Sequence, residues 1–331
     1  MPILEQGYEP YRGPVGGGRG NFLAIAGAAL RRNRRWYAWV LLLLSLLFGS
    51  AKEYFLVLAC YVPRALGFTD DNPFFTAFAN HPNLYPDMMA TQTFWALVMA
   101  ITVGAGEIAE DLRTGALVFY LGRPLTRLDY VLGKVVSVSV AVLLVTLLPT
   151  LLLFTVQAVF EGRWEWLAEH AAIPFAALGY SLLVSLFASG FVLGVGAVAR
   201  RRRWATVASA AVLLGLWFTA LVVAPPTGWT GSGMEERRIK QALAEARTEE
   251  ETKAALKRLS DSLDPIGSAS ERAEWRALAP DSTLAACGRD LFGTPVPSNF
   301  PWKRHWVLAL GVPLALLGVL WRRVRAVEIV S

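Results

Sequence analysis

Residues 107–127 carry acidic side chains first and basic side chains afterwards, and they stand between two long apolar stretches. Gly115 and Pro124 occur where a helix lying along a membrane surface would have to bend. Side chains of both signs at the edge of a bilayer form a surface on which another protein can dock. On composition alone, a solvated loop whose basic residues obey the positive-inside rule explains the segment equally well.

Residues that bind metals or act as nucleophiles are few and scattered. The histidines, His81, His170 and His305, fall in different segments, and the sequence has no His-Glu-x-x-His motif, no paired-cysteine spacing and no nucleophile elbow. All three histidines are expected near the outer boundary of a membrane, where an external copper or zinc site is the alternative to ordinary interfacial histidines. We therefore predict a chain that is not an enzyme and binds no metal.

The sequence also lacks a phosphate-binding loop. Gly133-Lys134 has no glycine five residues before it and no Ser or Thr after it, and no strand-turn-helix pattern follows the glycine-rich residues 16–20. We expect this chain to bind no nucleotide. An activity driven by ATP would need a second polypeptide.

The composition indicates a membrane protein. Hydrophobic residues make up 54% of the 331 residues and charged residues 18%, whereas ordinary soluble domains carry about 25% charged residues. Residues 225–304 alone hold 12 basic and 12 acidic side chains, so charge is scarcer still elsewhere. A conventional soluble enzyme and a disordered chain are thereby excluded. The net charge of +6 is explained by orientation in a bilayer, and we expect no nucleic-acid partner.

Six stretches are long and apolar enough to cross a hydrocarbon core of about 30 Å as helices. They are residues 36–58, 88–105, 131–159, 172–199, 205–224 and 306–321. The short segments on one side of these spans collect seventeen Lys and Arg residues, against three on the other side. Both termini are therefore predicted on the cytoplasmic side of an all-helical, multi-pass protein of the cell (cytoplasmic or inner) membrane.

The spans divide the chain into four parts. These are a cytoplasmic tail and interfacial helix (1–35), five spans with a cytoplasmic connection at 107–130 (36–224), an extracytoplasmic helical cap (225–304), and a sixth span with a cytoplasmic C-terminus (305–331). In residues 21–35 a short apolar stretch ends in basic residues, which fits a helix in the membrane interface. A flexible tail is the alternative.

The connection between the second and third spans resembles that of the ABC-2 type permeases, the membrane subunits of ABC exporters. Their pattern is an acid, three residues, a glycine, a small residue and a leucine, then an arginine-proline turn and a leucine-glycine-lysine start to the third helix. The matching residues are Asp111, Gly115, Ala116, Leu117, Arg123, Pro124, Arg127, Leu132, Gly133 and Lys134. Two departures occur: Leu112 stands where the family often has Arg, and Asp111 where Glu is commoner. Residues 6–8 and 323–328 look most like the branch grouped with multicopper-enzyme maturation permeases.

The resemblance implies a non-catalytic exporter subunit that forms a translocation path with a second permease copy, in a homodimer or a heterodimer. It also implies a separate cytoplasmic ABC ATPase that holds the ATP and Mg. In this family the connection is the coupling helix, and it implies the following contacts with the ATPase: Glu107, Glu110, Asp111, Arg113, Gly115, Arg123, Pro124 and Arg127. A second candidate contact is Arg200, Arg201, Arg202 and Arg203, for which topology determination is the alternative.

Two residue pairs lie outside that connection. Lys52 and Glu53 lie in the outer third of the first span, where ionisable residues are candidates for lining a translocation path. Alternatively, the apolar run ends at Ser50 and Lys52 reaches back to the interface. Cys60 and Cys287 are both expected outside the cell, where a disulfide that ties the cap to the first span is a hypothesis. The cap is also a candidate surface for an extracytoplasmic partner.

Two other functions stay open. A secondary transporter would place acidic residues or broken helices near the bilayer midplane, and apart from Glu53 the spans lack central acids. A membrane scaffold that anchors an extracytoplasmic assembly would need no ATPase. Transport without ATP would favour the first alternative, and co-purification of an ATPase would argue against the second.

Overall fold

The computed structural model describes residues 21–33, 36–65, 82–116, 126–199, 201–223, 279–294 and 302–328. These residues form ten helices and no strand, so the predicted all-helical class is confirmed for this part of the chain. The helices are α1 (Asn21–Asn33), α2 (Trp36–Gly49), α3 (Ala51–Ala65), α4 (Leu84–Thr114), α5 (Arg127–Glu161), α6 (Trp164–Glu169), α7 (Ala172–Val198), α8 (Arg202–Val223), α9 (Pro280–Leu291) and α10 (Trp302–Glu328).

Within the described residues, four helical runs are long and apolar enough to cross a membrane. They are α4, α5, α6 together with α7, and α10. The pair α2 and α3 passes the same test as one unit, but it is bent by 53° between Gly49 and Ala51. Counting that pair as a single span gives five. Helix α8 covers the fifth predicted span but is not among these runs.

Local signals explain where the helices on the predicted cytoplasmic side begin and end. At the start of α5, Thr126 and Asp129 form a reciprocal capping box, which satisfies two backbone N–H groups that the first turn leaves free. Helix α4 ends at Gly115, whose φ of 68° is left-handed. Glycine adopts that conformation without a steric penalty, so it ends the helix there.

Helix α7 lies at the centre of the bundle and packs against α4, α5, α8, α9 and α10. Its glycines permit these close approaches. A Cβ at Gly190 would lie 2.6 Å from Cβ of Pro313 in α10, and a Cβ at Gly196 would lie 2.9 Å from the carbonyl oxygen of Ala105 in α4. The glycine-rich residues 190–196 therefore pack within this chain.

Helix α1 docks against the first turns of α5. Its buried residues are Ile25, Ala26 and Ala29. Gly133 of α5 makes the approach close, since a Cβ there would lie 2.8 Å from Cβ of Ile25 and 2.9 Å from the carbonyl oxygen of Phe22. Residues 21–33 are therefore a packed helix and not a flexible tail.

Helix α9 is the described part of the predicted cap. It packs across α4, α7 and α10, with Leu284 and Cys287 fully buried. Arg289 holds it to α4 through an ion pair of 3.1 Å with Asp87. The helix therefore closes one end of the bundle. Residues 1–20 of the predicted tail, and residues 225–278 and 295–301 of the predicted cap, lie outside the described residues.

Candidate functional site

Two acids at the end of α4 share one lysine from α5. Glu107 and Asp111 are four residues apart and therefore lie on the same face of α4. Lys134 Nζ is 2.8 Å from Glu107 Oε2 and 2.7 Å from Asp111 Oδ2. All three side chains are at most 3% exposed. The lysine therefore neutralises one carboxylate charge, and the other needs a second cation.

Helix α1 supplies that second cation. The Arg32 guanidinium donates to Glu107 Oε2 and lies 3.7 Å from Asp111 Oδ1. The Tyr130 hydroxyl donates to Asp111 Oδ2 at 2.9 Å. We call these five residues, Arg32, Glu107, Asp111, Tyr130 and Lys134, the ion cluster. Its two cations and two anions balance, which is the condition under which buried charges are tolerated.

Another side of the same helix turn is open, where the Arg113 side chain is 55% exposed and that of Glu110 is 34% exposed. Arg113 Nη2 donates to Glu110 Oε1 at 2.6 Å in a pair three residues apart. Gly115 is exposed, and an added Cβ there would meet no atom within 4 Å. Exposed pairs of this kind add little to fold stability. We call Glu110, Arg113 and Gly115 the docking face, because both charges and the helix end are open to a partner.

The structure therefore divides the predicted ATPase contacts. Glu107 and Asp111, which the family resemblance placed in the contact surface, turn inward and offer no surface to a partner. Both carboxylates are held in the bundle by the cations of α1 and α5, and their contact with an ATPase stays a prediction. Arg127 is half-buried at the start of α5. Arg123 and Pro124 lie outside the described residues.

Sequence reasoning missed the ion cluster as a unit. Glu107 and Asp111 were recognised only as acidic residues of the connection, and Lys134 only as part of the start of the next helix. Pairing these residues requires α4 and α5 to lie side by side at their ends. No local signal linked Arg32 to an acid 75 residues away.

The second predicted contact lies at the start of α8. Arg201 and Arg203 are exposed, and Arg200 lies outside the described residues. Arg202 packs its side chain against Gly106 of α4, where an added Cβ would meet the guanidinium stem. Part of this basic cluster is thus engaged with the helix that carries the docking face.

Lys52 and Glu53 face different surroundings just after the bend between α2 and α3. The Lys52 side chain is 71% exposed, whereas that of Glu53 is 4% exposed. Lys52 Nζ lies 3.4 Å from Glu53 Oε1. The exposed lysine fits a side chain that reaches the interface, and the buried acid fits a position inside the bundle.

Tyrosine hydroxyls join α3, α4 and α5 at the end of the bundle away from the ion cluster. Tyr54 donates to the carbonyl oxygen of Pro149 at 2.7 Å, and Tyr61 donates to Glu161 Oε1 at 2.6 Å. Tyr85 of α4 donates to Gln157 Oε1 of α5. We call these contacts the tyrosine seam. The sequence gave no signal for them, because each joins residues 72 to 100 positions apart.

The structure contains no disulfide between Cys60 and Cys287, both of which are buried. Cys60 packs with Val57, Tyr61 and Trp166, whereas Cys287 packs into the main core. Burial raises the pKa of the Cys287 thiol to about 12. No disulfide joins the two cysteines because each thiol is enclosed by a different apolar cluster.

The described residues contain no group of three or more His, Cys, Asp or Glu side chains that could hold a metal ion. His170 Nδ1 lies 2.9 Å from the Trp166 carbonyl oxygen, and its ring stacks on that tryptophan. His305 is buried, and His81 lies outside the described residues.

The ion cluster and the docking face lie in a part of the chain that matches a known protein family. The family model described as "ABC-2 family transporter protein" matches residues 28–252, about two thirds of the chain. The match extends from α1 through α8 and includes both surfaces of the α4 end. No curated protein matches the chain significantly.

Proposed function

We propose that this chain is the membrane-spanning permease subunit of an ATP-driven exporter, because it belongs to the ABC-2 transporter family. Such a subunit forms a translocation path and draws its energy from a separate ABC ATPase. The observation that carries the proposal is the docking face at the end of α4, which is exposed on one side and backed by the ion cluster on the other.

The proposed topology has six spans. The bent pair α2 and α3 is the first, and α4, α5, α7, α8 and α10 follow. This arrangement puts α1, the end of α4 and the start of α5 on the cytoplasmic side of the cell membrane, together with both termini. Helix α9 then lies on the opposite side. The basic residues of the short connections support this orientation.

The docking face couples the ATPase to the bundle in this proposal. Glu110, Arg113 and Gly115 contact the ATPase, and Arg123, Pro124 and Arg127 complete the contact. ATP and Mg are bound on the partner, and closure of the ATPase pushes on the end of α4. Because α4 packs on α5 and α7, that push moves several helices together.

The translocation path is proposed to lie between two permease copies, identical or similar. Glu53, which is buried beside the bend of the first span, lines this path when the bundle opens, and Lys52 marks its outer edge. The cap shapes the exit and is the surface for an extracytoplasmic partner.

One observation favours a second candidate, a secondary transporter. A bent span with a buried acid is the kind of feature on which ion-coupled transporters build their binding sites. Glu53 next to the 53° bend has that character. The exposed charges of the docking face have no role in this alternative.

The full-length chain, purified in mild detergent with its native partners, tests the proposal. We expect a protein that carries a Walker A motif to co-purify in stoichiometric amount, and vesicles that contain both proteins to hydrolyse ATP faster than the ATPase alone. Flux driven by an ion gradient without ATP would favour the secondary transporter. A stoichiometric external partner without any ATPase would favour a scaffold, and either result would overturn the proposal.

A further inference from the structure

We infer that Arg32 is a positioning residue of the coupling machinery, which makes α1 its third member beside α4 and α5. This inference rests on the proposed function and deepens it. It concerns how the docking face is held, and not which residues touch the ATPase.

Apolar packing against α5, and not Arg32, fixes the position of helix α1. Ile25, Ala26 and Ala29 are buried, and Gly133 brings the two backbones into contact. Arg32 follows on the next turn and reaches across to α4. The apolar contact fixes α1 on α5, so the arginine ties α4 to a helix that is already anchored.

The charge balance shows why this tie is needed. Glu107 and Asp111 are two buried carboxylates, and Lys134 supplies only one positive charge between them. Without Arg32, the end of α4 would keep an excess negative charge in a position that is at most 3% exposed. Such a charge favours movement of the helix end toward water.

The inward contacts also fix the direction of the docking face. An α-helix turns by about 100° per residue, so Glu110 lies about 60° around the helix from Glu107 and Arg113 about 160° from Asp111. Holding Glu107 and Asp111 in place therefore also fixes the directions in which Glu110 and Arg113 point. A loosened cluster lets this last turn rotate or fray. The docking residues would still be present, but a push on them would be absorbed locally and would not reach the bundle.

The test compares two neighbouring arginines. Arg32→Ala removes the tie, and Arg31→Ala is the matched control, since Arg31 is exposed on the same helix. Arg32→Lys keeps the charge but loses the fork that reaches both acids. Because the Arg32 side chain is 42% exposed, its truncation leaves no large cavity. Each full-length variant is placed in lipid nanodiscs and in vesicles with the ATPase that co-purifies with the wild type.

Three readouts separate positioning from simple structural support. We expect Arg32→Ala to bind the ATPase with a Kd within about twofold of the wild type, and to lower permease-stimulated ATP hydrolysis about tenfold, which lies within the usual range of coupling between sites. Hydrogen exchange should rise in residues 107–114. Arg32→Lys should recover most of the stimulation, and Arg31→Ala should match the wild type in all three.

Equal stimulation and equal exchange in Arg32→Ala and Arg31→Ala would overturn the inference. A loss of stimulation that Arg32→Lys does not recover, together with a weakened Kd, would also overturn it, because the defect would then be one of folding or docking. If the wild type itself neither binds an ATPase nor stimulates it, the proposed function fails and the inference falls with it. The wild-type result thus tells the two failures apart.

Discussion

The two ends of the α4 and α5 pair are held together by different chemistry. At the end that carries the docking face, Lys134 joins two buried carboxylates. At the other end, hydroxyl groups of the tyrosine seam donate to side-chain and backbone oxygens, as Tyr85 does to Gln157. Buried ions are costly to separate, whereas single hydrogen bonds of hydroxyl groups are exchanged at lower cost. We therefore expect the docking-face end to move as a unit and the tyrosine-seam end to rearrange more easily.

The docking-face end contains a second contrast. Glu107 and Asp111 turn inward and Glu110 and Arg113 turn outward, although all four stand within seven consecutive residues. The inward pair is held by buried cations, whereas the outward pair is open to solvent. Charge density in the sequence therefore does not by itself identify a docking surface.

Replacing Lys134 should give the largest effect. Lys134→Met leaves two buried carboxylates with Arg32 and the Tyr130 hydroxyl as partners, and we expect the free energy of unfolding to fall by about 3 to 5 kcal/mol. Arg113→Met, on the exposed face, is the control and should change it by about 0.5 kcal/mol or less. Denaturant titration in detergent, followed by tryptophan fluorescence, measures both. Equal costs would remove the contrast between inward and outward charges.

A packing variant in the middle of the bundle gives a free-energy cost with which the variants at both ends can be compared. In Gly190→Ala the new methyl group would meet the Pro313 backbone and ring, which cannot move away as a flexible side chain can. We expect a loss of about 1 to 3 kcal/mol in the same titration. Gly215→Ala in α8 is the matched control, since an added Cβ meets nothing within 4 Å, and it should be neutral or slightly stabilising. A neutral Gly190→Ala would show that α7 and α10 pack less closely than described.

The tyrosine seam should yield a smaller effect than the ion cluster. Tyr85→Phe removes the hydroxyl group that donates to Gln157, and the loss of one buried hydrogen bond costs about 1 kcal/mol. Tyr54→Phe removes a comparable bond to a backbone oxygen and is the companion measurement. If Tyr85→Phe destabilises as strongly as Lys134→Met, the two ends do not differ in the way proposed.

The end of α4 should tolerate side chains according to their backbone preference. Because Gly115 has a φ of 68° and open surroundings, the cost of Gly115→Ala is conformational, about 1 kcal/mol. Gly115→Asn should cost less, since asparagine adopts left-handed backbone more readily. Unfolding titrations of the two variants measure the difference. An alanine variant as stable as the asparagine variant would contradict the left-handed end.

Apolar length and the family pattern predicted much of the fold from sequence. The helical class followed from them, whereas the continuation of α4 beyond residue 105 to Thr114 and the bend between α2 and α3 did not. A count of apolar residues treats 36–58 as one straight span, but the Gly49-Ser50 pair allows a kink that packing against α4 then decides. The apolar count also ended that helix seven residues before Ala65.

The candidate site was predicted only in part. Family resemblance located the connection that carries it, but could not separate inward acids from outward ones. That separation depends on Arg32 and Lys134, which lie 75 and 27 residues from Glu107. Contacts over such distances follow from how helices pack, and no local spacing encodes them.

The affinity of the co-purifying ATPase for a charge-swapped docking face tests the central claim most directly. In Glu110→Arg combined with Arg113→Glu the intrahelical pair persists, so the free energy of unfolding should stay within about 0.5 kcal/mol of the wild type. The sign pattern that a partner meets is reversed, and we expect binding to weaken by about tenfold or more at low salt. Unchanged affinity in the swapped chain, with the fold intact, would contradict the assignment of this surface to the ATPase.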